Sequence, residues 1–178
     1  MNENSAEATT HPMKKIAISK VVVNIGVGKS GEPLEKAKQA LEELTGQRPA
    51  VRGAKNSVRD FGIHKGEPIA AMVTLRRDAA LQFLRRTMAA KGNSLKASSF
   101  DNFGNLSIGI REHIDLPDTK YNPDIGIVGM DVSIALSRPG YTIAKKRIHK
   151  SIGKAHRITK DDAIRFFEKQ FGVVITYA

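Results

Sequence analysis

Four stretches of the chain alternate apolar with polar side chains at a period of two. In residues 16–27, Val21, Val23, Ile25 and Val27 fall on one side and Lys20, Val22 and Asn24 on the other. Residues 69–75 set Ile69, Ala71, Val73 and Leu75 against Thr74. Leu106, Ile108 and Ile110 alternate with Asn105, Ser107 and Arg111, and Val128, Met130, Val132, Ile134 and Leu136 alternate with Asp131, Ser133 and Ser137. Successive side chains of a strand point to opposite faces, so each stretch predicts a strand with one buried and one polar face. Residues 173–177 predict a last short strand.

Between these stretches the period lengthens. After Gly28 and Gly31, Pro33 stands where a first helical residue belongs; Leu34, Ala37, Leu41 and Leu44 recur at helical spacing, and Gly46 stops the run. Asp78 is placed to cap a second helix with Leu81, Leu84 and Met88 inward, Arg85 and Arg86 at its edge and Gly92 beyond its end. Thr159 and Asp162 nearly match a capping box ahead of Ile164, Phe167 and Phe171, closed by Gly172. Residues 91–105, rich in Gly, Asn and Ser, and residues 116–124, with two prolines, read as loops. Strands that alternate instead of running wholly apolar favour an α+β fold: a mainly antiparallel sheet with helices packed on one face and the other face open. With Val23, Val73, Ile108 and Val132 covered, the open face carries Asn24, Thr74, Ser107, Arg111 and Ser133.

Length changes this picture little. At 178 residues, 40% of them hydrophobic, residues 14–178 suffice for a single domain with a real core. The first dozen residues, with Glu3, Glu7 and no apolar centre, have neither the charge of a transit peptide nor the core of a signal sequence, and residues 1–13 read as a disordered lead-in. No apolar run approaches the roughly 18 residues of a membrane span. The absence of cysteine removes disulfides, thiolate metal sites and a cysteine nucleophile, and fits an intracellular protein.

Charge changes it more. The net charge of +11 calls for an acidic partner: nucleic acid, an anionic membrane or a polyanionic protein. Residues 48–96 hold 11 basic and 3 acidic side chains and residues 138–160 hold 8 basic and none acidic, so each segment carries +8 and the remainder −5. Cations gathered in two segments describe a binding surface. Residues 52–65 follow neither period. Arg52, Lys55, Arg59 and Lys65, one acid at Asp60, Gly53 and Gly62, and the ring of Phe61 suit phosphates and stacked bases. Residues 145–157 are the second candidate contact, and with no acid between Asp131 and Asp161 that run repels itself unless a polyanion is near.

Motifs for catalysis do not form. Gly26-Val-Gly-Lys-Ser30 lies between a strand and a helix, as a phosphate loop would, but Val23 occupies the position of the first glycine and Pro33 starts the helix too late. The glycines serve better as a strand-to-helix turn. His11, His64, His113, His149 and His156 are scattered without metal-ligand spacing, and Asp161-Asp162 lies in a first helical turn, where negative charge complements the dipole. No cofactor is called for. The alternatives left open are a generic basic protein that coats nucleic acid and, with less support, a phosphate-loop enzyme acting through Lys29.

Several separated motifs together carry a resemblance: Val22-Val-Asn-Ile-Gly-Val-Gly28, Leu44-Thr-Gly-Gln-Arg-Pro49, Gly66-Glu-Pro-Ile69 with Val73-Thr-Leu-Arg76, Phe103-Gly-Asn-Leu-Ser-Ile-Gly-Ile-Arg-Glu112 and Gly129-Met-Asp131. From Lys14 onward the chain resembles the family of large-ribosomal-subunit protein five, and its tail from Ser137 to Ile158 resembles the archaeal form. The resemblance implies a cytoplasmic protein without catalytic activity, a monomer within the ribosome and away from membranes. It would bind 5S rRNA and large-subunit rRNA and fix the 5S RNA in the central protuberance. Family residues that meet the 5S RNA match Asn24, Gln47 and Thr74. The family's loop toward the P-site tRNA matches residues 54–63, including Ala54, Lys55, Asn56, Ser57, Val58, Arg59 and Phe61. The family also touches small-subunit ribosomal protein thirteen. On this reading, Arg48, Arg76, Arg77, Lys145, Lys146 and Arg147 neutralise rRNA phosphates, while Lys55 and Arg59 touch tRNA.

Overall fold

The computed structural model describes residues 11–117, 119–148 and 150–177. Most of the expected lead-in, residues 1–10, lies outside these, as does His149. Pro12 and Met13, the last residues of the lead-in, form a 3-10 turn with Lys14.

Strand β1 (Ala17–Gly26) leads through Gly28 and Gly31 into helix α1 (Glu32–Thr45), with Pro33 in the first turn; Gly46 ends the helix, its N–H reaching Glu42 O at 2.8 Å. Then come β2 (Ala50–Gly53), β3 (Pro68–Leu75), α2 (Arg77–Ala90), β4 (Ser94–Lys96), β5 (Leu106–Ile110), β6 (Met130–Ser137), α3 (Lys160–Phe171) and β7 (Val174–Thr176). Five strands pair in the order β2-β3-β1-β6-β5, antiparallel throughout. The expected α+β class therefore holds, with the first strand central.

Register decides which side chains share a row. Leu75, Val21, Ile134 and Leu106 form one row across four strands, and Val73, Val23, Val132 and Ile108 another two residues on. All eight are buried and pack with Leu41, Leu44, Leu84, Met88, Ile164 and Phe167 of the three helices. The alternation slips once in β1. A bulge at Ser19 moves the ladder from Ile18↔Leu136 to Lys20↔Ala135, so Ile16 and Ile18 reach the core although they fall out of phase with Val21.

Three expectations need correction. Asp78 is not the cap of α2: Arg76 is, with no side-chain hydrogen bond, and Asp78 lies within the first turn. Arg77 has the left-handed φ of 52° at the point where the chain leaves the sheet, and the helix starts earlier than expected. Residues 91–105 are not all loop: β4 pairs in parallel with β7, Ser94 to Val174 through Lys96 to Thr176, and Leu95, Ala97 and Phe100 are buried. Those three apolar positions were hidden by polar neighbours. Residues 52–65 are likewise not free of strand, since β2 spans Ala50–Gly53 on the sheet's edge with every residue exposed. A strand that buries nothing leaves no period to read.

Candidate nucleic-acid interface

The face opposite the helices is bare and polar. Its rows interleave with the buried ones: Thr74, Val22, Ser133 and Ser107 in one, Met72, Asn24, Asp131 and Gly109 in the next. Asn24, Thr74 and Val22 are half-buried between neighbours, and Ser107, Asp131 and Ser133 are exposed. Asn24 and Thr74 thus lie on one surface, in adjacent strands and adjacent rows. Beside them, Lys20, Val22, Asn105, Ser107 and Ser133 border a shallow depression of about 500 Å³.

Cations stand at both ends of this face. At the end where β3 and β6 finish, Lys20 is exposed, and Arg76, still extended two residues beyond Thr74, is exposed as well. Residues 138–157 leave the sheet at the same end. At the opposite end Arg52, paired with Ala70, and the loop that follows it carry the other positive group. The basic stretch of residues 48–96 is therefore divided by the fold: Arg52, Lys55, Arg59 and Lys65 lie with the end of β2 and its loop, Arg76 and Arg77 stand at the other end of β3, and Arg48, two residues before the Ala50–Met72 pair, lies towards that second end.

Two arginines counted as surface charge are engaged inside the fold. Arg86 donates to Leu44 O (3.2 Å), Pro117 O (3.0 Å) and Thr119 Oγ1 (3.3 Å), tying α2 to the end of α1 and to the loop before β6. Arg138 donates through Nη1 to the carbonyls of His156 and Arg157 and through Nη2 to Asp162 Oδ2 at 3.1 Å. Asp162 also closes the capping box with Thr159. Arg138 and the Tyr141 hydroxyl, which accepts from Ile158 N–H at 2.8 Å, pin the C-terminal end of the basic segment. Lys145, Lys146 and Arg147 remain exposed.

The loop at the other end has a built base and a free tip. Val58 and Ile63 exchange backbone hydrogen bonds of 2.9 and 3.1 Å around a 3-10 turn, Arg59–Phe61. Lys65 N–H donates to Ser57 Oγ. Lys55, Asn56, Ser57, Val58 and Arg59 are exposed, and Phe61 is 74% exposed. Ala54 is different: it is buried at the base, bonded to Glu67 O and Gly66 N, so it seats the loop and offers no contact surface. At Gly53 a Cβ would meet Gly66 O at 2.9 Å, which explains glycine where the two ends of the loop cross. Gln47 and Arg48 are exposed in the turn before β2.

Glu67 clamps this base. Its carboxylate accepts from His64 N–H and Ser30 Oγ, both at 3.0 Å, and these bonds, the backbone one foremost, hold its pKa below the ordinary 4.5. A lowered folded-state pKa means the clamp contributes fully above 4.5 and is lost as pH falls through the depressed value. The expected result is a downfield-shifted His64 amide at neutral pH that relaxes on acidification or in Glu67→Gln, read by NMR.

The turn after β1 is not arranged as an anion cradle. The N–H groups of Val27 and Gly28 both point at Ile69 O at 3.0 Å, and α1 starts only at Glu32. A second basic rim that the charge count did not single out lies between the start of β1 and α3, where Lys14, Lys15, Arg165 and Lys169 surround Phe166. Their separation along the chain hid it.

A polar sheet face bared on one side, backed by a helix-covered core and flanked by cations at both ends, defines a basic α+β protein of the polyanion-binding class. Residues 11–64 match the family described as ribosomal protein L5, and residues 68–166 match the model of that ribosomal family's C-terminus. The chain belongs to the ribosomal protein L5 family. It is 51% identical over 171 residues to large ribosomal subunit protein uL5 of Nitrosopumilus maritimus, covering 96% of this chain and 99% of that one. To the uL5 proteins of Pyrobaculum aerophilum and Sulfolobus acidocaldarius it is 54% and 51% identical, over 93% and 92% of both chains. The family is one of structural ribosomal proteins and is not enzymatic, and these relatives bear out the expected archaeal form.

Proposed function

We propose that the chain is a structural component of the large ribosomal subunit that binds 5S rRNA on its open sheet face and anchors it in the central protuberance. One observation carries this reading: the register that sends Val23 and Val73 into the core turns Asn24 and Thr74 outward onto one bare surface with Lys20 and Arg76 at its end. Asn24, Thr74 and, from the neighbouring turn, Gln47 supply neutral hydrogen bonds that set the position of the RNA. Arg48, Arg76, Arg77, Lys145, Lys146 and Arg147 neutralise phosphates of 5S and large-subunit rRNA. The exposed tip of the β2–β3 loop, with Lys55, Arg59 and Phe61, reaches the P-site tRNA, and a further contact joins small-subunit ribosomal protein thirteen. The uL5 names of the relatives support large-subunit, hence cytoplasmic, placement.

Binding to 5S rRNA at several salt concentrations tests the division of labour. Asn24→Ala should weaken binding by roughly two- to tenfold, the worth of one neutral hydrogen bond, at unchanged salt slope. Lys145→Gln should lower the slope by about one. Equal changes of slope in both variants would remove the distinction. Excess duplex DNA that competes as well as 5S rRNA would favour a generic nucleic-acid-coating protein instead.

A further inference from the structure

Phe103 is 65% exposed, and a single exposed ring is ordinary on a protein surface. This one is fixed. Asp101 Oδ1 accepts the N–H groups of Phe103 (2.9 Å) and Asn105 (2.7 Å), Oδ2 accepts Asn105 Nδ2 (2.7 Å), and Asp101 N–H returns to Asn105 O (2.9 Å). The ring therefore stands on a turn bonded on every side. It forms one wall of a cleft of about 280 Å³ whose other walls are Tyr141, Lys150, Ile152, Arg157 and Ile158. Arg157 is also held: its Nε donates to Ile152 O at 3.1 Å and its carbonyl accepts from Arg138. Its guanidinium is exposed, and among the described residues its outer N–H groups meet no acceptor.

A flat ring, a planar cation, an apolar floor and a lysine at the rim match an unpaired nucleotide: the base stacks on the ring and its phosphate meets the cations. The residues that line the cleft include Lys150 and Arg157 and no acid, and the Asp101 carboxylate beneath the ring is engaged with the amides of its own turn. We propose that the Phe103 cleft is a second RNA site, distinct from the open sheet face, that takes one unstacked base of a single-stranded rRNA segment. This rests on the reading of the protein as an RNA binder, but on different residues.

The full-length chain is titrated with a ten-nucleotide single-stranded RNA containing 2-aminopurine, and separately with 5S rRNA and a blunt RNA duplex. The fluorescence of 2-aminopurine should be quenched on binding. Phe103→Ala should weaken decamer binding between about fivefold and a hundredfold, abolish the quenching and leave the salt slope and the duplex affinity unchanged. Phe103→Trp should retain both affinity and quenching, and Arg157→Gln should lower the salt slope by about one. Because the ring is exposed, Phe103→Ala should melt with the wild type, so a loss of binding is not a loss of fold. Decamer binding by Phe103→Ala at wild-type strength, or displacement of the decamer from wild type by a polyglutamate peptide with no loss in Phe103→Ala, would overturn the proposal. The sheet-face reading fails separately, if Asn24→Ala and Thr74→Ala bind 5S rRNA as the wild type does.

Discussion

Replacing Gly104 by alanine should cost about 2–4 kcal/mol and lower the melting temperature by roughly 5–15 °C. Two effects add. Gly104 sits at φ 78°, a conformation that side chains disfavour, and its Cβ would lie 2.5 Å from Ile158 Cγ2 and 3.4 Å from Ala163 Cβ. Ile158 is 2% exposed, and Ala163 is fully buried in the first turns of α3, so neither has room to retreat. The segment from Ile158 into α3 must then lift away from the turn before β5. Thermal melts of Gly104→Ala, Ile158→Ala and the double variant check this: the double should be more stable than the sum of the two single effects allows, because the smaller side chain admits the new methyl. Strict additivity would locate the damage in the backbone angle alone.

Arg138→Leu is expected to have the next largest effect, and on two readouts. Its side chain is 10% exposed and serves two carbonyls and one carboxylate; without it the carbonyls of His156 and Arg157 lose their donor. Asp162, about a third exposed, can rehydrate, so the expected cost is held to about 1–3 kcal/mol. The second readout is RNA affinity. The C-terminal end of residues 138–157 would lose its tie to the end of β6, and the salt slope of 5S rRNA binding should fall by more than one, although only one charge has been removed. Arg138→Lys should not restore it, since a single ammonium cannot span acceptors that a planar fork reaches from two nitrogens. A slope lowered by one or less would mean that the segment holds its place without this arginine.

The strands and helices with a buried face were legible because burial writes a period into the chain. Val21, Val23 and Ile25, or Leu34, Ala37, Leu41 and Leu44, announce their faces, and the buried positions follow them. The open face was legible for the same reason, as the complement of the buried one. Elements that bury little escaped: β2 has four exposed residues, and β4 has one buried leucine between Ser94 and Lys96. The charge count identified basic segments but could not say which cations are free, because whether Arg86 and Arg138 meet carbonyls depends on residues up to 42 positions away. Strand order, and with it the separation of Arg52 from Arg76, has no local signature.

The edge strand β2 makes hydrogen bonds to β3 alone and buries no side chain, whereas β1 is laddered on both sides and covered by α1 and α2. Amide exchange should therefore grade steeply across the sheet, fastest in residues 50–66 and slowest in Val21 and Val23. A protrusion hinged on the least protected strand can detach and reseat without unzipping its neighbours. The chain thus joins a yielding arm to an unyielding plate, and on the function proposed above the arm could exchange its partner while the plate keeps its own.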